Sequence, residues 1–199
     1  MALKQEAPQR LYLVRHGQTE WNAEGRYQGR SDSRLGERGW QQAHAIADRL
    51  AVLCHGCAVA SSPLERTLAT ARVVAARLSC PIEIDKRLIE LWYGRWEGLR
   101  QCEVAQIWPA LLRAWKRRPQ DVHFPDGESL AELRHRVCAF MEDVFKRRES
   151  VVGVTHDAFI RVAILQVGGK GLDAFRSIRV GNASVTVFSR TDRGFALEP

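Results

Sequence analysis

A run of apolar residues from Leu11 to Val14 stops abruptly at Arg15, His16 and Gly17, and this change constrains the fold more than any other feature of the chain. A short apolar run that ends at a glycine is typical of a strand buried on both faces, as in parallel sheets. In open α/β sheets, ligands bind beyond the carboxyl ends of the strands. We therefore expect the side chains of Arg15 and His16 to face a crevice rather than a core.

A second run of the same kind lies far along the chain, where Val151 to Thr155 leads into His156. Arg161 follows in a segment whose pattern predicts a helix. Parallel strands end at one edge of a sheet, so the two histidines predict a single shared site.

Strand and helix patterns alternate along the chain without repeats, which predicts an α/β fold with a mostly parallel central sheet. We expect Pro63 in the first turn of a helix, where its missing N–H costs nothing. The predicted segments are a helix over 37–53, strands over 58–61 and 82–84, a helix from Pro63 to Leu78, a strand over 183–188 and, after a turn at 191–194, a short final strand.

Residues 88–125 lack a regular period and are rich in tryptophan, which predicts a cap or a long crossover between strands. A strong helix pattern then buries a stripe from Leu130 to Val144. At 199 residues the chain is long enough to bury a substantial core. We expect a single domain over 1–199, with a cap insertion at about 88–125.

The charge of the chain, formally +7, favours anionic partners such as phosphorylated metabolites, nucleic acid or acidic surfaces. Its densest basic clusters, 116–118 and 146–148, lie near the ends of predicted helices, where cations complement the helix dipole and stay solvated. This role is preferred to a nucleic-acid surface. We expect a small anionic ligand and no nucleic-acid or membrane partner, while a homodimer stays open.

Five cysteines, an odd number, do not resemble a disulfide framework and favour a reducing compartment. Cys54 and Cys57 have the spacing of half a zinc site or a redox pair, but no second pair of ligands accompanies them. We interpret them as the end of a helix and the start of a strand. The first six residues lack the apolar stretch of a signal peptide, and no segment approaches a membrane span. A soluble, cytoplasmic protein is predicted.

Arg66, shortly after the predicted strand at 58–61, is expected to join Arg15, His16 and His156 in the crevice. Two arginines and two histidines suit a phosphoryl group, because its oxygens accept bidentate guanidinium bonds and its phosphorus accepts an imidazole nitrogen. Nearby arginines also lower the pKa of an imidazole and so keep a nucleophilic ring neutral. This chemistry requires no metal and no other cofactor.

The stretch from Leu13 to Asn22 resembles the opening motif of the histidine phosphatase superfamily, also called phosphoglycerate mutase-like. The resemblance covers most of the chain and implies a three-layer αβα sandwich with a cap insertion. Further matching segments follow in the order of the family: Gln28–Gly29, Ser61–Thr67, Leu88–Glu90, Trp96–Gly98, Gly127–Ser129 and Thr155–His156.

The resemblance implies that His16 is the nucleophile that becomes phosphorylated, in a phosphate pocket formed by Arg15, Arg66 and His156. It implies that Glu90 protonates the leaving oxygen and then activates the water that hydrolyses the phosphohistidine. The residues that it implies for substrate binding are Arg15, Asn22, Gln28, Gly29 and Arg66.

The remaining histidines and one acidic residue are interpreted as structural. The position of Glu97 suits a carboxylate that stabilises the cap insertion as well as it suits a catalytic one, so we assign Glu97 no chemical role. An isolated histidine is usually a packing or surface residue, which is our interpretation of His44, His55, His123 and His135.

The segment Glu90–Gly98 resembles the phosphatase branch of the superfamily, including α-ribazole phosphatases, phosphoserine phosphatases and broad-specificity phosphomonoesterases, more than the mutases. Family mutases have a longer central insertion than this chain can hold. We therefore expect hydrolysis of small phosphomonoesters. The alternatives are a cofactor-dependent phosphoglycerate mutase and, from another class, a non-catalytic protein that binds phosphorylated ligands or nucleic acid.

Asp157 departs from the family, which usually has a small residue directly after the second histidine. The preferred interpretation is a helix N-cap, whose carboxylate accepts backbone N–H bonds. In the other interpretation the carboxylate faces the pocket mouth, where it would repel carboxylated esters such as phosphoglycerate and attract substrates that carry an ammonium group.

Overall fold

A sheet of six strands forms the centre of the protein, in the order β3-β2-β4-β1-β5-β6. The structure is a computed structural model that describes residues 9–54 and 56–198, so the expectations for the first six residues and for His55 fall outside it. The strands are β1 (Arg10–Arg15), β2 (Ala58–Ser61), β3 (Ile82–Ile84), β4 (Val151–Thr155), β5 (Val185–Thr191) and β6 (Gly194–Leu197).

The first four strands of the sheet order are parallel, and an antiparallel hairpin closes one edge. Strands β1 and β4 are neighbours, with Arg15 opposite Thr155. The two sequence segments that end in histidine therefore finish side by side. The predicted mostly parallel sheet is confirmed, as is the hairpin at its edge.

Helices cover both faces of this sheet because side chains alternate along each strand. In β1, Leu11 and Leu13 pack into one core cluster, whereas Tyr12 and Val14 pack into the other. The three-layer αβα architecture is confirmed. The helices are α1 (Glu20–Glu24), α2 (Glu37–Leu53), α3 (Glu65–Leu78), α4 (Gln101–Ile107), α5 (Pro109–Arg117), α6 (Leu130–Lys146) and α7 (Asp157–Val167). Helices α2 and α3 lie on the Tyr12 face, and α6 and α7 lie on the Leu11 face.

The chain between β3 and α6 contains α4, α5 and short 3-10 turns at Lys86–Leu88, Gly94–Trp96 and Pro119–Asp121. We call residues 86–128 the covering segment. Its interior is aromatic: Tyr93, Trp96 and Trp115 each meet the ring of Phe124 edge-on, with centroids about 5.0 Å apart. Edge-to-face packing of this kind adds to the stabilisation from burial alone.

Three predicted boundaries are wrong by two or three residues, and one of them is the end of β5, which runs to Thr191 and not to 188. Pro63 lies just before Leu64, the extended N-cap of α3, and not in the first helical turn. Strand β5 begins at Val185 and not at Ala183, because Ala183 has a left-handed φ of 56° and donates its N–H to the His16 carbonyl. Such a conformation interrupts a strand.

Cys54 and Cys57 lie between α2 and β2, as expected from their spacing, but a disulfide joins them. The interpretation of this pair as a helix end and strand start alone was therefore incomplete. The basic clusters at 116–118 and 146–148 do lie at the ends of α5 and α6. Within the described part of the chain, no helix is long and apolar enough to cross a membrane.

Candidate active site

His16 occupies the first position after β1, where its backbone is held on both sides. Its N–H donates to the Thr155 carbonyl at 3.1 Å, and its carbonyl accepts from the Ala183 N–H at 3.1 Å. The chain then turns at Gly17, where a Cβ would overlap the backbone of Gly39. Only glycine permits this close approach, which fixes the direction in which His16 projects.

The ring of His16 is buried and oriented by its own backbone. Nδ1 lies 2.8 Å from the Gly17 carbonyl, which can only accept, so Nδ1 carries the proton and Nε2 keeps a free lone pair. Burial, followed by the positive charges of Arg66 and Arg15, lowers the pKa of His16 well below its usual value. The ring is therefore neutral at neutral pH, as a nucleophilic nitrogen must be.

His156 follows β4 and faces His16 across the strand ends, with the ring centroids 5.2 Å apart. Its side chain is completely buried. Burial and the nearby Arg66 also lower the pKa of His156 well below its usual value. The predicted convergence of the two histidines is confirmed.

Arg66 lies in the first turn of α3 and is 1% exposed. Its guanidinium donates to the carbonyl oxygens of Gly29 and Ser31 and to Asp32 Oδ1, the last two at 2.9 and 3.2 Å. Burial lowers the pKa of Arg66 to about 10, which still leaves it cationic at neutral pH. This position provides a rigid positive charge beside both histidines.

Arg15 supplies a second cation at the end of β1, held by a 2.6 Å bond from Nη1 to the Val180 carbonyl.

Several buried donors of the site have no acceptor among residues 9–54 and 56–198: Arg15 Nε, Arg66 Nε and Gln28 Nε2. Buried donors without partners are costly and uncommon in folded proteins. An anion bound between the arginines would satisfy them.

Glu90 comes from the covering segment and lies against the N-terminus of α7. Its carboxylate accepts from Leu91 N at 2.8 Å and from Ala158 N at 3.5 Å. Burial, followed by the negative charge of Asp157, raises the pKa of Glu90 to about 7. A carboxyl group with this pKa can both donate and accept a proton near neutral pH.

The loop that holds Arg66 is itself held by Glu97. The carboxylate of Glu97 accepts from Arg30 N at 2.8 Å, from Ser31 N at 2.9 Å and from Ser31 Oγ at 2.6 Å. Gly29 has a left-handed φ of 57° there, and a Cβ would collide with Glu97. Glu97 thus binds loop backbone, in agreement with its interpretation as structural.

Asn22 and Gln28, both expected in the substrate-binding set, lie next to each other. Gln28 Oε1 accepts from Thr19 Oγ1 at 3.2 Å and from Asn22 Nδ2 at 3.4 Å. Asn182, which the sequence did not single out, donates to Asn22 Oδ1 at 2.9 Å. Since Asn182 follows the buried Val180 whose carbonyl holds Arg15, this chain of amides adjoins the basic pocket.

Asp157 is not a helix N-cap. The cap of α7 is His156, which has the extended backbone, and Asp157 is the first helical residue. Its carboxylate instead pairs with Arg161 through two contacts of 3.1 and 2.9 Å and lies 3.6 Å from Arg15 Nη1. The N-cap interpretation was wrong because the backbone stays extended for one residue beyond β4, at His156, and this residue takes the cap position.

Two charged residues that support the site, the buried Glu128 and the partly buried Arg136, have no role in the sequence analysis. Glu128 accepts from Trp92 N at 2.9 Å and pairs with Arg136 at 2.6 Å, and Arg136 also donates to the Glu90 carbonyl at 2.9 Å. They clamp the backbone on either side of Leu91. The sequence signal was an acidic residue in the matching segment Gly127–Ser129, to which no role was given.

The other described histidines lie outside the pocket. His44, His123 and His135 are all exposed, which agrees with their interpretation as surface residues.

Comparisons with known proteins agree with this geometry. The model of the histidine phosphatase superfamily (branch 1) matches residues 11–199. Phosphoserine phosphatase 1 of Hydrogenobacter thermophilus is 39% identical over 92% of this chain and 88% of its own length. A probable phosphoglycerate mutase GpmB of an Enterobacter species is 37% identical over 88% of this chain and 82% of its own.

Among solved structures, a mycobacterial glucosyl-3-phosphoglycerate phosphatase in complex with VO3 superposes with a TM-score of 0.86 at 29% identity. The match covers 96% of this chain and 97% of that one. The family resemblance and the expected phosphatase class are confirmed. The chain belongs to the histidine phosphatase superfamily, branch 1.

Proposed function

We propose that this phosphatase is a metal-independent phosphomonoesterase that hydrolyses small phosphorylated metabolites through a phosphohistidine at His16. The observation that carries the proposal is the position of the neutral His16 ring, whose Nε2 lone pair is free and whose neighbours are the cations Arg15 and Arg66. Guanidinium groups bind phosphate oxygens and offset the charge of a transferring phosphoryl group.

In the first step, His16 Nε2 attacks phosphorus while the bond from phosphorus to the ester oxygen breaks. The leaving oxygen takes the proton of Glu90 and departs as an alcohol. The pKa of about 7 gives Glu90 a substantial protonated fraction near neutral pH, which a general acid requires. Arg15, Arg66 and His156 hold the phosphoryl oxygens during the transfer.

In the second step, water attacks the phosphorus of the phosphohistidine. The Glu90 carboxylate accepts a proton from that water, the phosphorus–nitrogen bond breaks, and inorganic phosphate leaves. Glu90 is then protonated again and His16 is neutral, so the cycle is closed.

We propose Asn22, Gln28 and Gly29 as further contacts to the substrate, with residues 88–125 as a cap that encloses the leaving group. A phosphoglycerate mutase is the second candidate, because one relative carries that name. The covering segment favours the hydrolase, since we expect a mutase to need a longer insertion to keep water from the phosphohistidine. A cytoplasmic location and a homodimer stay predictions from the sequence.

Turnover of p-nitrophenyl phosphate by the pure protein in the presence of EDTA tests the proposal. A metal-independent phosphatase releases nitrophenol and phosphate, whereas a protein that only binds phosphorylated ligands or nucleic acid releases neither. The mutase is tested separately, by priming with bisphosphoglycerate and following 3- to 2-phosphoglycerate. We expect phosphate release from small monoesters to be faster, and efficient interconversion would favour the mutase.

A further inference from the structure

The two ring nitrogens of His156 have different surroundings. Nε2 lies 2.8 Å from Ser62 Oγ, and both side chains are completely buried. Nδ1 is also buried but has no hydrogen-bond partner within the described residues. One nitrogen is therefore committed to a serine, while the other remains for a ligand.

The backbone around Ser62 fixes the position of its hydroxyl. Ser62 N donates to the Val154 carbonyl at 3.0 Å, and the Ser62 carbonyl accepts from Ser61 Oγ at 2.9 Å and Thr67 Oγ1 at 3.0 Å. Leu64 N lies 3.5 Å from Ser62 Oγ and donates to it. Since the hydroxyl accepts from this amide, its own proton is available to Nε2.

Two arrangements of protons fit a neutral His156 ring. If Nε2 carried the proton, the Ser62 hydroxyl proton would lack an acceptor among residues 9–54 and 56–198, and the bare Nδ1 lone pair would repel a phosphoryl oxygen. If the hydroxyl donates to Nε2, the ring proton lies on Nδ1, and both groups are satisfied once an anion binds.

We propose that Ser62 is a positioning residue that donates its hydroxyl proton to His156 Nε2 and so holds His156 as the tautomer protonated at Nδ1. In this state Nδ1–H is a neutral donor to a phosphoryl oxygen, beside the charged donors of Arg15 and Arg66. The role of Nδ1–H rests on the proposed function, whereas the tautomer itself is a property of the free protein.

Nuclear magnetic resonance of protein labelled with ¹⁵N-histidine tests the tautomer directly, because protonated and unprotonated ring nitrogens resonate far apart. The His156 signals are identified by their loss in His156→Gln. We expect the wild type to be protonated at Nδ1 and Ser62→Ala to lose this preference. Ser61→Ala removes a neighbouring buried hydroxyl that bonds only the Ser62 carbonyl among the described groups, and should keep it.

Kinetics supply the second measurement. Ser62→Ala should lower kcat for p-nitrophenyl phosphate about tenfold, the worth of one hydrogen bond, with a smaller change in KM. A wild-type ring protonated at Nε2, or a Ser62→Ala variant with unaltered tautomer and kcat, would overturn the proposal. If Ser62→Ala does not fold, the wild-type spectrum decides. Absence of wild-type turnover would instead overturn the proposed function and leave the spectral result valid.

Discussion

The two regions that form the site are held in place by different forces. The strand-end pocket, made of Arg15, His16, Arg66 and His156, is fixed by hydrogen bonds to backbone of the strand ends and of neighbouring loops. The covering segment, which contributes Glu90, is fixed by packing of aromatic rings around Phe124 and by the Glu128–Arg136 ion pair that clamps the backbone on either side of Leu91. The strand-end pocket thus holds the groups that we propose bind phosphate, and the covering segment holds the proposed proton donor.

The difference also appears in how burial affects each region's titratable groups. Burial keeps the histidines of the strand-end pocket neutral, and it keeps Glu90 protonated to a higher pH than an exposed carboxyl group. In both cases the low dielectric disfavours the charged form. The proposed nucleophile His16 and the proposed acid Glu90 are therefore in their active states together over a range that ends near pH 7.

Replacing His16, the proposed nucleophile, has the largest expected effect, because the strand-end pocket then loses its reacting group. His16→Ala should lower turnover by at least about 10⁴-fold, because its neighbours, the arginines and the committed His156, offer no second free nucleophile. Phosphohistidine is acid-labile, so rapid mixing with ³²P-labelled substrate should be followed by alkaline denaturation. Label should remain on the wild type and not on the variant, and appreciable activity of His16→Ala would refute the assignment.

Replacing Glu90, the proposed acid, removes the contribution of the covering segment and leaves the strand-end pocket intact. Glu90→Gln should slow esters with poor leaving groups by roughly 10²–10⁴-fold and spare the first step with activated aryl esters. With p-nitrophenyl phosphate we therefore expect a burst of nitrophenol followed by slow turnover, because the second step still needs the carboxylate. In the wild type, kcat/KM for alkyl esters should fall as the pH rises through about 7, where Glu90 loses its proton.

Equal losses on alkyl and aryl esters in the first step would move the acid role elsewhere. Glu97 is the next carboxylate to test, although its bonds to Arg30 and Ser31 leave it committed to the loop.

The comparison of the two regions also explains what could be predicted from the sequence. His16 and His156 were predictable because an apolar run that ends in a polar residue marks a strand end, and parallel strands end together. The internal structure of the covering segment was not predictable, since its aromatic contacts join residues without a regular spacing. Asp157 and Ser62 show the remaining limit of sequence-based prediction. The hydrogen-bond partner of each side chain depends on the position of its backbone to within one residue.

Glu97 joins the two regions, and weakening it should have an intermediate effect. Glu97→Gln replaces a carboxylate that accepts three bonds by an amide that cannot accept them all, which loosens the carbonyls that hold Arg66. We expect KM to rise about tenfold with a smaller fall in kcat. Glu103→Gln is the matched control, because Glu103 accepts from Arg100 N in the same segment and lies outside this loop. An unchanged KM would show that the loop holds Arg66 without Glu97.

The smallest expected effect is at Asp157, which lies between the regions and pairs with Arg15 and Arg161. Because its charge raises the pKa of Glu90, Asp157→Asn should move the alkaline limb of kcat/KM to lower pH. It also frees two arginines to attract carboxylated substrates, so kcat/KM for phosphoglycerates relative to amino-bearing esters should rise about two- to fivefold, the worth of a partly exposed ion pair. Asp48→Asn, which removes an exposed carboxylate of α2, should change neither quantity. A shifted limb with an unchanged ratio would leave Asp157 a tuning residue for Glu90 and remove its role in selectivity, whereas an unchanged limb would mean that Arg15 and Arg161 already neutralise its charge at Glu90.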